Sequence, residues 1–152
     1  MTLPPRSGFL VAGAAASAAL VVLHFGVIVV GAPAYAYFLA GRDMVELAQA
    51  HSLVPTFITG VIAFVLSVFT AYALAAAGFY RLPGDRVLVA AIGCVYTLRG
   101  TIIVPETLMV HFLDRPTRAL VFSAISFVIG VVHLIGIARR WPLLAPPAAA
   151  DA

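Results

Sequence analysis

Tyr96-Thr97-Leu98-Arg99-Gly100-Thr101, with Pro105-Glu106 just after it, lies in an apolar run from Val87 to Val104. A run of that length can cross a bilayer as a helix, for which about 17–25 residues are needed. Arg99 is the only permanently charged side chain inside any apolar run of the chain. A bare Arg near the bilayer centre costs about 2.5–3.5 kcal/mol on insertion scales. The stretch therefore implies a membrane-spanning helix whose Arg99 is packed inside the protein, faces water, or is bound to an anion.

The rest of the composition agrees. The chain has 152 residues, 63% of them hydrophobic and only 10% charged, with mean hydropathy +1.10. A soluble domain of this size cannot hide that much apolar surface. The apolar runs are evenly spaced with short connectors, which reads as one domain over residues 1–140 followed by a disordered Pro- and Ala-rich tail over 141–152. All nine basic residues are Arg, and they are spread along the chain. That spread does not suggest nucleic-acid binding. Arg-only usage with abundant Ala and Gly suggests a bacterial source. Cys94 is the only cysteine, so an intramolecular disulfide and a two-cysteine redox centre are both ruled out. It reads as a small core residue.

Four spans follow from the hydropathy. Phe9 to Val30 is the first, and it reads as an uncleaved helix even though Ala16-Ser17-Ala18 resembles a signal-peptide cleavage site. Gly31-Ala32-Pro33 breaks it. Tyr35-Ala36-Tyr37-Phe38 suits a membrane–water boundary. Arg42 to Ala48 has one apolar side, Val45 with Ala48 and Met44 with Leu47, and predicts a short interfacial helix. Val54 to Ala77 is the second span, and Gly78 to Arg86 a polar turn around Pro83-Gly84. Val87 to Val104 is the third span, ended by Pro105, with Glu106 in the first turn of a helical connector to Leu113. Asp114-Arg115-Pro116 reads as a helix start, and Ala119 to Ala138 is the fourth span. The fold expected is all-α: a four-transmembrane-helix bundle with short interfacial helices on the outer side.

Small residues recur at helical spacing in each span: Gly13/Ser17, Gly60/Ala63/Ser67, Gly93/Thr97 and Ser126/Gly130. Such stripes let membrane helices approach closely, so they are expected to face the interior. Arg99 points roughly 100° away from Gly100, on the side of Ile92, Tyr96 and Ile103, out of the tightest helix contact. The connector arginines are biased toward one side, Arg6, Arg81, Arg86, Arg139 and Arg140 against Arg42, Arg115 and Arg118. By the positive-inside rule both termini are cytoplasmic, in a bacterial inner membrane.

Arg99 and His24 fall at similar depth on a linear count, toward the outer face. No span so drawn holds an acidic residue, and Glu106 is the nearest carboxylate. The candidate ligand-binding site is therefore Arg99, His24, Tyr96 and a dipping Glu106. The competing reading has Arg99 snorkelling to the headgroups. His24 and His133 fall at unmatched depths, unlike two axial ligands of one haem. His51 and His111 lie on the outer side near acidic residues, but their spacing fits no recognised metal motif. No catalytic motif, metal set or cofactor signature emerges.

The four-span layout, the elaboration after the first span and Tyr96-Thr97-Leu98-Arg99-Gly100 with Pro105 resemble small bacterial four-helix membrane proteins of the broad DoxX-like group. The resemblance covers Phe9 to Ala138 and carries no functional residue over. It implies an association with quinone-linked oxidation, for which the lone Cys94 and the unmatched histidines supply no redox centre. The function expected is non-enzymatic: a binding or accessory protein holding a lipid, quinone or other amphipathic molecule near Arg99. The alternatives are a structural subunit of a membrane complex and a small oligomeric transporter. Membrane lipids, an amphipathic small molecule, a second copy or a membrane subunit are the partners these readings imply.

Overall fold

The computed structural model describes residues 5–112 and 116–144. Among them the regular structure is entirely helical: α1 Gly8–Val30, α2 Ala32–Tyr37, α3 Arg42–Gln49, α4 Val54–Ala77, α5 Asp85–Thr101, α6 Ile103–Phe112 and α7 Arg118–Arg140. Four helical runs are long and apolar enough to cross a membrane: Gly8–Val30, Val54–Ala77, Asp85–Met109 and Arg118–Arg140. The protein is thus all-α with four membrane-length helices. Leu113, Asp114, Arg115 and the tail from residue 145 lie outside the described residues. Residues 141–144 continue from α7 as turns, with the amides of Leu143 and Leu144 donating to the Arg140 carbonyl.

The third span differs most from its expected form. Pro105 does not end it. The apolar helical run begins at Asp85 and continues to Met109, with one non-helical residue, Ile102, between α5 and α6. The physical reason lies four residues before the proline. Pro105 has no N–H for the carbonyl of Thr101, and its ring crowds that carbonyl. The break therefore falls at Ile102, while Pro105 itself sits comfortably in the first turn of α6. Two consequences follow. Glu106 belongs to an apolar span, contrary to the expectation that none holds an acid. Arg99 also stands 14 residues past the start and 10 before the end of the run, in its middle third.

The chain divides into two compact units, Ala15–Thr70 and the residues on either side of it, with the boundary inside α1 and α4. In the Ala15–Thr70 unit the expected break falls at Gly31, whose φ of +73° is open to glycine at no steric cost. Tyr35 is a core residue of this unit. It is 3% exposed and packs with Val27 and Ala34 against Phe38, Met44, Val45 and Ala48. Its hydroxyl accepts a hydrogen bond from Thr59 at 3.1 Å. The predicted interfacial helix exists as α3, with Met44, Val45 and Ala48 turned to that core, Leu47 exposed, and Arg42 paired to Glu46 at 2.6 Å.

The other unit is built on the seam between α5 and α7. Glycines make it possible. A Cβ on Gly100 would stand 2.5 Å from the backbone of Phe127, and one on Gly130 would collide with Thr97. In a membrane, contact of this kind replaces the missing hydrophobic drive between helices. Gly13, Ser17, Ala63, Gly93 and Gly130 are buried, as the stripe argument expects. Gly60 and Ser67 depart from it. Gly60 has open space at its Cα, and Ser67 is exposed with its hydroxyl on the Ala63 carbonyl at 2.9 Å. Cys94 is exposed and not a core residue. It lies on the apolar outer face of α5, where a small, weakly polar thiol is well tolerated.

Candidate functional site

Gly100 decides where Arg99 goes. Because the backbone of Gly100 is pressed against Phe127, the side chain one residue earlier emerges about 100° around the helix, on the flank of the seam. From there Nη1 of Arg99 donates to the hydroxyl of Ser123 on α7 at 3.0 Å. The break at Ile102 lets α6 lie along α7, and Ser123 Oγ donates to Glu106 Oε2 at 2.6 Å. Ser123 is fully buried, Glu106 half-buried and Arg99 exposed.

A serine hydroxyl has one proton and two lone pairs. Here it accepts from the cation and donates to the anion, so the two bonds polarise each other in the same direction. The 2.6 Å separation is that of a charge-assisted O–H···O⁻ bond. Arg99 and Glu106 are thus linked through a neutral group. Among the described residues Ser123 is the hydrogen-bond partner of Arg99, and the side chain is exposed, so further donors of the guanidinium are open to a ligand.

The other two candidates lie apart from this chain of bonds. Tyr96 is buried one turn earlier on α5, its ring stacked on His133 with centroids 5.6 Å apart. His133 is itself fully buried, and its Nδ1 donates to the Ile129 carbonyl at 2.9 Å. Its Nε2 has no hydrogen-bond partner among the described residues. Gly13 admits the ring, since a Cβ there would stand 2.7 Å from Cε1. His24 belongs to the Ala15–Thr70 unit, half-buried, with Nδ1 donating to the Leu20 carbonyl at 2.7 Å. The structure therefore joins Arg99 to Glu106, sets Tyr96 against His133, and leaves His24 in a separate unit. Among the described residues no three His, Cys, Asp or Glu side chains gather as a metal would require; Asp114 is outside them. An open apolar groove of about 350 Å³ lies against α7 beside Thr101, Ile103 and Val104. Thr101 is about 200° from Arg99 by the helical period, so the groove lies on the opposite flank of the seam.

Two residues of consequence were not singled out by the sequence. By helical spacing Ser123 shares one small polar face of the fourth span with Ser126, Gly130 and His133, and nothing local sets it apart from them. Its place 24 residues from Arg99, across the α5–α7 hairpin, has no local signal. Arg140 is the second. It reads as a headgroup arginine at the end of a span, yet it is 4% exposed. Its Nη1 donates to the carbonyls of Pro5 and, at 3.1 Å, of Ala77. The Ser7 amide also donates to Ala77 O, at 3.1 Å. Arg140 thereby ties the N-terminal segment, the end of α4 and the end of α7 together, and brings both ends of the described chain to one end of the unit. Around it three arginines stand over aromatic rings: Arg6 over Phe79 at 4.4 Å, Arg86 over Trp141 at 4.4 Å and Arg139 over Phe9 at 4.5 Å. Each such pair contributes about 0.5–1 kcal/mol at an exposed site.

No protein-family model matches the chain, and no curated protein or solved structure shows significant similarity to it.

Proposed function

We propose that this chain is a small multi-pass protein of a bacterial inner membrane, with both termini cytoplasmic, that binds an amphipathic molecule by its polar end at Arg99. A lipid or quinone is the class of ligand. Catalysis is not part of this reading. The DoxX-like resemblance belongs to the same proposal. One observation carries it: an exposed guanidinium in the middle third of an apolar helical run, whose hydrogen-bond partner among the described residues is a neutral hydroxyl. Hydrocarbon cannot satisfy the remaining donors, and an intramembrane charge left so is costly. A phosphate or carbonyl oxygen from a ligand satisfies them. The planar fork of donors favours Arg over Lys for that task.

Native mass spectrometry from mild detergent tests the reading. The parent is expected to retain a bound lipid or quinone. Arg99→Ala should lose it, and Arg99→Lys should retain severalfold less than the parent. Equal retention by parent and Arg99→Ala overturns the proposal. A parent that carries no small molecule but a stoichiometric second subunit supports the structural alternative instead.

A second reading, a small oligomeric transporter, is favoured by the inclusion of Glu106 in the apolar run Asp85–Met109. Carboxylates at such positions serve proton coupling. Proton flux into liposomes that is lost in Glu106→Gln would support it; no flux in the parent would remove it.

A further inference from the structure

At the end of the unit where α4 closes and α5 opens, the charges are unbalanced. Arg6, Arg81, Arg86, Arg139 and Arg140 gather there with one carboxylate, Asp85, among the described residues. Asp85 is 8% exposed and its Oδ1 accepts from the Arg86 amide at 2.7 Å, so it offers little counter-charge at the surface. Arg140 lies beneath, 4% exposed, with Nε and Nη2 lacking hydrogen-bond partners among the described residues. Its positive charge is held in a low-dielectric site, where its field is poorly screened.

The outer arginines are held in a way that leaves them available. Arg6, Arg86 and Arg139 each stand over an aromatic ring contributed by a different element of the chain. A ring face attracts a cation without accepting hydrogen bonds through oxygen, and among the described residues the N–H donors of these guanidinium groups are left for an outside acceptor. Phe9, Phe79 and Trp141 are all more than a third exposed, as suits aromatic side chains at headgroup level. The Tyr80 hydroxyl, bonded to the Ala71 carbonyl at 2.7 Å, fixes the connector that carries Phe79 and Arg81.

We propose that this end of the unit, formed by residues 5–9, 79–86 and 139–141, is a docking surface for anionic phospholipid headgroups. Arg6, Arg86 and Arg139 present their free donors to the lipid phosphates, while the rings beneath them sit among the upper acyl chains. The buried Arg140 adds to the attraction without touching lipid. This surface is separate from Arg99 and does not depend on the reading given above.

Trp141 is the only tryptophan of the chain, so its fluorescence reports on this surface alone. The full chain is reconstituted in vesicles of mixed phosphatidylglycerol and phosphatidylcholine, with one or the other lipid brominated high in the acyl chain to quench Trp141. The expected result is a preference of about fivefold for quenching by brominated phosphatidylglycerol, the size one arginine near an anionic surface supplies. Raised salt should weaken it. Arg6→Gln and Arg139→Gln, both away from the Trp141 contact, should each reduce it, whereas Arg99→Ala should not. Equal quenching by the two lipids in the parent overturns the proposal, and this arm needs no variant to fold. A preference unchanged when Arg6 and Arg139 are both replaced also overturns it. So does one abolished when inorganic phosphate replaces chloride at equal ionic strength, since the site would then take a free anion.

Discussion

Arg140 and Arg99 lie in the same compact unit and are accommodated in opposite ways. Arg140 is 4% exposed and gives its hydrogens to backbone carbonyls from two other parts of the chain. Arg99 is exposed on the flank of a helix seam and gives a hydrogen to a hydroxyl, which passes one on to a carboxylate. The difference separates two uses of a charge in an apolar protein. A guanidinium that fills the carbonyls left at a helix end is part of the fold. One that meets a neutral hydroxyl and faces outward is available to something else. Hydropathy flags the second and overlooks the first.

If the contrast is real, Arg140→Ala should be the most damaging single change. It leaves the Pro5 carbonyl without its partner and removes one of two donors from Ala77 O. Hydrogen bonds to a charged group are worth about 1.5–3 kcal/mol each, so a loss of about 3 kcal/mol is expected. Thermal unfolding in detergent measures it. Arg140→Lys should recover part of the loss, because an ammonium can reach one carbonyl but lacks the fork. If Arg99→Ala proves as damaging as Arg140→Ala, the division between structural and available charge fails.

Gly100→Ala tests the seam that sets Arg99 beside Ser123. The added methyl would stand 2.5 Å from the Phe127 backbone, and backbone cannot rotate away. Overpacking of this sort costs about 1–3 kcal/mol. The terminal end should be untouched, so Trp141 emission should match the parent while the melting temperature falls. A shifted Trp141 spectrum would mean the two regions are coupled.

What the sequence showed and what it hid follow the same line. The four spans were legible because each is a continuous apolar run, and Gly31 and α3 were legible because their turn and amphipathic signals are local. The third span reads too short in the sequence because proline acts on the carbonyl four residues before it, which moves the break upstream and leaves the helix running beyond. Arg99 and Glu106 were legible as a pair because they are seven residues apart. Ser123 between them was not, since only the packing of α7 on α5 and α6 puts it there. Arg140 was hidden for a like reason: its partners Pro5 and Ala77 are 135 and 63 residues away in sequence.

Ser123→Ala cuts the link between cation and carboxylate while leaving both charges. Polar contacts between membrane helices are worth about 0.6 kcal/mol on average and up to about 1.7 kcal/mol. This one serves two charged partners, so about 1 kcal/mol is expected from unfolding in detergent. Ligand retention should fall as well, because Arg99 loses the group that orients it. A variant that loses stability yet keeps the ligand would show that Arg99 binds without being positioned.

Glu106→Gln should have the smallest effect, and its smallness is informative. The amide oxygen can still accept the Ser123 proton, so the hydrogen-bond chain survives. Only the negative charge is lost, and it acts on Arg99 across an intervening hydroxyl, through bonds of 3.0 and 2.6 Å. Ion pairs that are partly exposed contribute about 0.2–1 kcal/mol even in direct contact, so about 0.5 kcal/mol is expected here. A double-mutant cycle with Arg99→Gln isolates the coupling from the cost of each change alone. A coupling near zero in detergent, with Arg99 still required for ligand retention, would sharpen the contrast with Arg140, because the charge at Arg99 would then be answered by the ligand. A coupling above about 2 kcal/mol, beyond what a partly exposed pair supplies, would make Arg99 and Glu106 a structural ion pair and remove the case for an available charge.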